Sequence, residues 1–199
     1  MARLDRRLDR MTPSGLSRSA TARRTAQRLV VGISGASGSI YGIRLLEVLR
    51  EVPGLETHLV ISRAAKRTLV DETEYAVRDV EALATRVYDD RDIGAALANS
   101  HADTLLARAG DVTLKEGRPL IVVVRETPLH TGHLRQMLAL SEMGAVILPP
   151  VPAFYHRPKT IRDLVDHTVG RVLDRIGIEH GLVTEWTGTG QPDGDPSSS

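Results

Sequence analysis

Residues 29–42 read Leu29-Val30-Val31-Gly32-Ile33-Ser34-Gly35-Ala36-Ser37-Gly38-Ser39-Ile40-Tyr41-Gly42, an apolar β-branched run that ends in a cluster of small residues. The apolar run is typical of a buried strand. After it, apolar side chains recur at the spacing of a helix that packs on a sheet. The members of this stripe are Ile43, Leu45, Leu46, Val48 and Leu49. The stretch therefore predicts a strand, a glycine loop and a helix in direct succession.

The glycine loop admits two interpretations. In a strand–loop–helix unit, backbone N–H groups and a helix N-terminus point at one spot, which makes an anion site, usually for a phosphate. Glycine loops also occur where a tight turn from strand to helix leaves no room for side chains. We favour the anion site, and the tight turn without a ligand stays the alternative.

The composition excludes several classes of function. The chain has 199 residues with 26 basic and 25 acidic side chains, so no overall charge draws it to nucleic acid. Aromatic residues make up 3%, too few for a base-stacking surface. No apolar run is long enough to cross a bilayer, so we expect no membrane span. Cysteine is absent, which excludes disulfides and thiolate chemistry and is compatible with a reducing compartment.

The chain divides into a tail, a body and a tail. Residues 1–27 are rich in Arg, Ser and Thr without sustained periodicity, and we expect a flexible extension there. An organellar transit peptide is a minor alternative, against which the Asp residues of the segment count, and Met11 is an alternative start. We expect one folded domain over 28–180 and a flexible tail over 181–199.

Strands and helices alternate along the body. Near-continuous apolar strands in this arrangement indicate a parallel sheet covered by helices on both faces, a three-layer α/β fold. Thr160 and Asp163 form a capping box at the start of the last helix. After the first unit, the predicted strands are 55–62, 86–88, a fully buried strand at 119–124, and 145–148, and the predicted helices are 64–70, 99–109, 132–142 and 161–176.

Polar residues at the ends of the strands are the first candidates for a site, because ligands of parallel sheets bind beyond the carboxyl ends of the strands. Residues 34–37 follow the first strand, and Ser62 ends the second. Arg125 and Glu126 directly follow a predicted buried strand, where a charge must be paired or used in function. A structural ion pair is the alternative interpretation of these two residues.

Four motifs follow one another within 28–178. They read Gly32-Ile33-Ser34-Gly35-Ala36-Ser37-Gly38, Asp111-Val112-Thr113-Leu114-Lys115-Glu116, Arg125-Glu126-Thr127-Pro128-Leu129-His130 and Pro149-Pro150-Val151-Pro152-Ala153-Phe154-Tyr155-His156. In this order the chain resembles the UbiX-type flavin prenyltransferases, flavodoxin-like (Rossmann-like) proteins of the flavin-binding, decarboxylase-related superfamily. The wider superfamily shares the first motif, whereas the set of four is specific.

The resemblance implies a transferase that makes a cofactor. Such enzymes bind reduced FMN and dimethylallyl phosphate, and they join the prenyl group to N5 and C6 of the isoalloxazine without a metal. The prenylated FMN then serves a UbiD-type decarboxylase, classically in ubiquinone biosynthesis. The family typically assembles as a dodecamer. The resemblance therefore implies a cytoplasmic homo-oligomer.

The resemblance also implies roles for individual residues. Lys115, Tyr155 and Arg171 match positions that bind the prenyl phosphate, and Glu126 matches the acidic residue that handles protons. The expected catalytic residues are Glu126 and Lys115. The flavin-binding positions correspond to Gly35, Ala36, Ser37, Ser62 and Arg125. Cationic and hydroxyl groups suit this reaction, because negative charge develops on the leaving phosphate.

Simpler interpretations exist for the same residues. Tyr155 in a proline-rich loop can cover an edge of the core, Arg171 can be a solvated charge, and Lys115 can lie in a surface turn. The histidines that could suggest a metal site fit no standard zinc spacing, so we expect no metal. These histidines are His130, His133 and His156.

The chain departs from the family pattern between Ala98 and Asn99. Roughly twenty residues, enough for a strand and its loop, are absent there. In the family they form a central strand and a loop that holds the flavin, so we expect a sheet that lacks one central strand. Three hypotheses follow: an active flavin prenyltransferase, which we favour, an FMN-binding relative without prenyl transfer, and a non-catalytic oligomer or interaction subunit.

Overall fold

The computed structural model describes residues 27–91 and 104–182. Strands and helices alternate along these two ranges, as the sequence predicts, except that a short helix over 77–81, which was not predicted, directly follows the second helix. The elements are β1 (Gln27–Ile33), α1 (Ser39–Arg50), β2 (Leu55–Ile61), α2 (Arg63–Glu72), α3 (Val77–Glu81), β3 (Arg86–Asp89), α4 (Leu105–Lys115), β4 (Ile121–Val122), α5 (Thr131–Glu142), β5 (Val146–Ile147) and α6 (Ile161–Ile176).

The described strands form two parallel sheets rather than the single sheet that the sequence predicts. One sheet has the order β1-β2-β3, and its register pairs Gln27 with Leu55 and runs to Ile33 opposite Ile61. The other contains only β4 and β5, joined over two residues each. Within the described ranges, β1 and β4 are therefore edge strands. The segment predicted to be absent, between Ala98 and Asn99, lies outside the described residues, so the missing central strand stays a prediction.

Helix α4 packs beside β1 and is anchored to the end of β3. A Cβ atom added to Gly32 would lie 2.1 Å from Leu106 Cδ1, so the side chain of Leu106 packs directly over the glycine. The N–H of Leu105 donates to the Asp90 carbonyl oxygen over 2.8 Å, and the N–H of Leu106 donates to Asp90 Oδ1 over 3.0 Å. Asp90 thus accepts two of the N–H groups that the first turn of α4 cannot use internally.

The apolar core lies between the three-stranded sheet and the helices α1, α2, α3 and α6. Its fully buried members come mainly from α1, β2, α2 and α6, including Ile43, Leu46, Leu59, Leu69 and Leu173. In contrast, β4, α5 and β5 contain no buried residue. The prediction of a fully buried strand over 119–124 is therefore wrong: only Ile121–Val122 pairs as a strand, and it is half-buried because one short strand flanks it.

Local signals account for most helix ends. The capping box of Thr160 and Asp163 is confirmed, and Gly177 at φ 69° ends α6. The prediction for 99–109 is wrong in its bounds, because Thr104 caps a helix that runs on to Lys115, while 99–103 lies outside the described residues. The predicted tails, apart from the residues at their inner edges, also lie outside, so their flexibility stays untested. No described helix is long and apolar enough to cross a membrane.

Candidate functional site

The loop after β1 binds an anion, and within the described residues that anion is the carboxylate of Glu72. The Gly38 N–H donates to Glu72 Oε2 over 2.8 Å. Hydrogen bonds from the Ser37 hydroxyl and the Gly38 N–H hold the pKa of Glu72 below its usual value, and the positive charge of Arg125 acts in the same direction. The loop therefore presents donors that an anion can accept, and the anion site and the tight turn without a ligand both stay open as predictions.

Glycine is required at two positions of this loop. Gly38 has φ 103° and caps α1 without a side chain, a conformation that L-residues rarely adopt. A Cβ atom on Gly35 would lie 2.5 Å from the Cβ of Ala64, so the loop is pressed against the start of α2. Thr68 supports the same contact by donating its hydroxyl to the Gly35 carbonyl over 3.2 Å.

Arg125 reaches this loop from the end of β4. Its Cγ lies 3.4 Å from the point that a Cβ of Gly38 would occupy, and its charge acts on Glu72. Ser62 lies beside the start of this loop, because its N–H donates to the carbonyl of Ile33, the last residue of β1, over 3.0 Å. The Ser62 hydroxyl accepts from the Ala65 N–H and so caps α2. We call the loop 35–38, Glu72 and Arg125 the loop group.

Tyr155 does not cover the core, because its side chain is 60% exposed. Its Oη lies 2.9 Å from His167 Nε2 on α6. The ring of His156 stacks on that of His167 with centroids 5.0 Å apart and planes 5° apart. Arg171 lies one turn further along α6, is exposed, and donates to Asp174 Oδ2 over 3.2 Å. We call Tyr155, His156, His167 and Arg171 the tyrosine group.

The remaining two predicted residues lie outside both groups. Glu126 is exposed, and its Oε1 accepts from the N–H of the next residue, Thr127, over 2.9 Å. Lys115 is exposed and is the last residue of α4, so it lies on a helix and not in a surface turn. Among the described residues, no hydrogen bond or ion pair joins the loop group to the tyrosine group, to Glu126 or to Lys115. The predicted site residues therefore form separate groups on this one chain.

Two polar residues next to these groups, Glu72 and His167, were not predicted as site residues. Glu72 is three residues beyond Leu69 and seven beyond Ala65, the buried positions of α2, so it lies on their face of the helix. That spacing was the available signal, but the predicted helix stopped at residue 70. His167 precedes Arg171 by four residues, which placed both on one face of α6. Over 27–91 and 104–182, no three acidic or histidine side chains converge as a metal site.

Comparisons with known proteins agree on one family. The family model described as Flavoprotein matches residues 17–101. The flavin prenyltransferase UbiX of Salmonella typhimurium is 50% identical over 187 residues, which cover 81% of this chain and 99% of that protein. The flavin prenyltransferase UbiX of Thauera aromatica is 49% identical over 184 residues, covering 81% of this chain and 94% of that protein.

Solved structures give the same result for the fold. A dodecameric FMN-dependent UbiX-like decarboxylase from Escherichia coli O157:H7 is similar with a TM-score of 0.77 and 44% identity, over 81% of this chain and 100% of that one. AnUbiX in complex with FMN and dimethylallyl pyrophosphate also has a TM-score of 0.77, with 38% identity over 82% of this chain and 99% of that one. The flavodoxin-like α/β fold is therefore confirmed.

Proposed function

The chain belongs to the UbiX family of flavin prenyltransferases, and we propose that it joins the dimethylallyl group of dimethylallyl phosphate to N5 and C6 of reduced FMN. The observation that carries this proposal is the 50% identity across 99% of the length of the Salmonella typhimurium enzyme. AnUbiX, a structural relative, binds FMN and dimethylallyl pyrophosphate, which are substrates of this chemical class.

The loop group fits a flavin substrate. The Gly38 N–H and the Ser37 hydroxyl converge on one anion, and Arg125 supplies a cation beside it. The hydroxyl of Ser39, at the start of α1, is buried with no hydrogen-bond partner among the described residues. We propose that FMN is held by Gly35, Ala36, Ser37, Ser62 and Arg125.

The reaction needs a leaving group to depart and a proton to be removed. The prenyl C–O bond breaks, and its electron pair leaves with the phosphate. Lys115, Tyr155 and Arg171 stabilise that developing charge, a form of electrostatic catalysis that is often worth several kcal/mol. Bond formation at C6 releases a ring proton, for which Glu126 or the departed phosphate is the acceptor.

We propose that the complete site is assembled between copies of the chain in a homo-oligomer. The loop group and the tyrosine group share no hydrogen bond or ion pair in the part of the chain that the structure describes, and the related decarboxylase from E. coli O157:H7 is a dodecamer. Helix α5 has no buried residue, and its Leu134 and Leu138 are 52% and 59% exposed. Such an apolar helix face is typical of a surface that a partner covers.

Two finer expectations belong to the same proposal. The prenylated FMN is the product, and the recipient we propose is a UbiD-type decarboxylase, since a modified flavin that leaves its maker needs a second enzyme to use it. We also propose that the reaction takes place in the cytoplasm. Both expectations rest on the family resemblance of the motifs around Lys115, Glu126 and Tyr155.

Anaerobic incubation with reduced FMN and dimethylallyl phosphate, followed by mass analysis of the flavin, tests the function directly. We expect the wild-type protein to add one C5 prenyl group to FMN. We expect Glu126→Gln to abolish this product while FMN still binds, because the substitution removes a proton acceptor and keeps the shape. Glu116→Gln, an exposed glutamate next to Lys115, is the matched control and should behave as wild type. Loss of FMN binding in Glu126→Gln would contradict the proton-handling role.

A second candidate function is FMN binding without prenyl transfer. One observation favours it: the alignment with the Salmonella typhimurium relative spans 187 residues but includes only 81% of the 199 residues of this chain. That relative therefore has aligned residues with no counterpart here, which supports the predicted deletion. The same assay separates the candidates, because a protein that binds FMN and returns it unmodified is of the second kind.

A further inference from the structure

We infer that His167 is a positioning residue, which turns the hydroxyl proton of Tyr155 toward the phosphate of the prenyl donor. This inference rests on the proposed function and adds a residue to it. The supporting contact is short and direct: His167 Nε2 lies 2.9 Å from Tyr155 Oη. His167 belongs to α6, a packed helix, whereas Tyr155 lies in a loop and is 60% exposed, so the helix is the fixed partner of the two.

The direction of this hydrogen bond decides what Tyr155 can do. A tyrosine hydroxyl has one proton to donate. If the Tyr155 hydroxyl donates its hydrogen bond to His167 Nε2, no donor is left for a phosphate oxygen. If His167 carries a proton on Nε2, that N–H donates to Tyr155 Oη, and the proton of the hydroxyl points to the other side. Only the second arrangement makes Tyr155 a donor to an anion, and an arriving phosphate favours it.

Among the described residues, a stack and not a second hydrogen bond holds the ring of His167 in place. His156 lies parallel to it, with planes 5° apart and centroids 5.0 Å apart. Tyr155 meets both histidine rings edge-on, at 74° and 78°. Both ring nitrogens of His156 are buried and have no partner among the described residues. His156 therefore contributes ring contacts, and the packing of three rings sets the direction of His167 Nε2.

The surroundings of His167 favour its neutral form. Burial lowers its pKa, and the neighbouring charges of His156 and Arg171 lower it further, while Asp174 opposes them. A cavity of about 290 Å³ adjoins the ring. The charged and histidine side chains that line it are His156, Arg157, Lys159, Asp163, Asp166 and His167.

The carboxylates near His167 are already engaged. Asp166 pairs with Arg44, Asp163 accepts the N–H groups of Lys159 and Thr160, and Asp174 binds Arg171 and His180. None of these three carboxylates is therefore free to hold a proton on the ring. The neutral ring has one N–H, and the Tyr155 hydroxyl can pair with Nε2 in either tautomer. An arriving phosphate therefore selects the tautomer with the proton on Nε2.

A double-mutant cycle with Tyr155→Phe tests this inference. His167→Phe keeps an aromatic ring in the stack and removes the hydrogen bond. We expect it to raise KM for dimethylallyl phosphate about tenfold, the loss of one hydrogen bond to a charged ligand, with the Kd for FMN unchanged. His167→Gln keeps an N–H donor and should recover most of the loss. In the Tyr155→Phe background, His167→Phe should add almost nothing, because its effect passes through the tyrosine hydroxyl.

The chain offers a matched control in a second histidine–tyrosine pair. His58 Nδ1 lies 2.9 Å from Tyr88 Oη, with the two rings stacked, in the β2–β3 part of the sheet. His58→Phe should leave KM for dimethylallyl phosphate unchanged, and thermal unfolding of each variant shows whether it folds. Additive effects of His167→Phe and Tyr155→Phe in an active enzyme would overturn this inference alone. A wild-type protein that makes no prenylated flavin would overturn the proposed function, and the inference with it.

Discussion

Glu72 shows how one side chain can satisfy a loop whose backbone favours an anion. Its carboxylate accepts the N–H of Gly38, which sits at the N-terminal end of α1. A negative charge at this end of a helix is stabilised by the helix dipole as well as by the hydrogen bond. In the same place, Glu72 offsets the charge of Arg125. One residue therefore keeps the loop in shape and balances its cation.

We predict that the carboxylate of Glu72 makes the free energy of unfolding depend on pH. The pKa of Glu72 is lowered from its usual value of 4.5, chiefly by hydrogen bonds from Ser37 and Gly38. A lowered pKa means that the carboxylate stabilises the fold fully above its unfolded pKa, and that this contribution is lost as the pH falls through the folded pKa. Urea unfolding between about pH 3 and pH 7 should therefore show a shallower acid loss in Glu72→Gln than in the wild type.

The control for this measurement is Glu74→Gln, an exposed residue close to the end of the same helix. Its acid profile should follow the wild type. Identical acid profiles for Glu72→Gln and wild type would show that the contact with Gly38 does not contribute to the free energy of unfolding.

Helix α6 is the element with the most complete local signals. Thr160 accepts the N–H of Asp163, and the side chain of Asp163 accepts the N–H of Thr160 in return. The lowered pKa of Asp163 has the same cause, because the N–H groups of Lys159 and Thr160 point at its carboxylate. This helix contributes Val169 and Leu173 to the core and carries His167 and Arg171 of the tyrosine group, so its first turn supports both stability and the site.

We predict that Thr160→Ala destabilises the protein by about 1 kcal/mol, because it leaves an N–H group of the first turn without its acceptor. For a chain of this size, the midpoint of thermal unfolding should fall by about 3 °C. Ser141→Ala, on the exposed side of α5, is the comparison and should leave the midpoint unchanged. A fall of equal size in both variants would mean that the cap is not the cause.

Over the whole molecule, burial is uneven. The core cluster draws on β1, β2, α1, α2, α3 and α6, whereas β4, α5 and β5 bury no residue of their own. Segments with few buried contacts open locally more often than the core does. We therefore expect the second sheet to open locally more often than the three-stranded sheet.

Hydrogen exchange should reflect this difference. We predict that the amides of β2, which has paired strands on both sides, exchange at least about tenfold more slowly than those of β4 and β5. The measurement is exchange of the purified protein followed by peptide mass analysis. Equal protection of both sheets in a chain shown to be monomeric would contradict the uneven core.

The proposed homo-oligomer can be tested through the exposed apolar face of α5. Leu138 is 59% exposed on α5, at a spacing of four residues from Leu134. We expect Leu138→Glu to reduce the particle mass measured by light scattering, because it places a charge on the apolar face. Gln136→Glu, which adds the same charge elsewhere on α5, should leave the mass unchanged. An unchanged mass in both would exclude this face from the interface.

Local patterns of the sequence predicted the order of the elements, the glycine loop, the capping box of α6 and the family. These features depend on residues within a few positions of one another, so spacing and residue type suffice to find them. The bounds of α4 and the burial of β4 were wrong, because a helix start depends on which polar residue caps it and burial depends on what covers a strand.

Contacts between distant parts of the chain could be found only in the folded molecule. Glu72 accepts the Gly38 N–H across 34 residues, and Arg125 reaches the same loop from beyond the end of β4. Tyr155, which precedes the N-cap of α6 in the chain, forms a hydrogen bond with His167 within that helix. The division of the strands into two sheets also depends on contacts between distant parts of the chain. Each depends on how packed helices place side chains that are remote in sequence, and periodicity carries no information about such pairings.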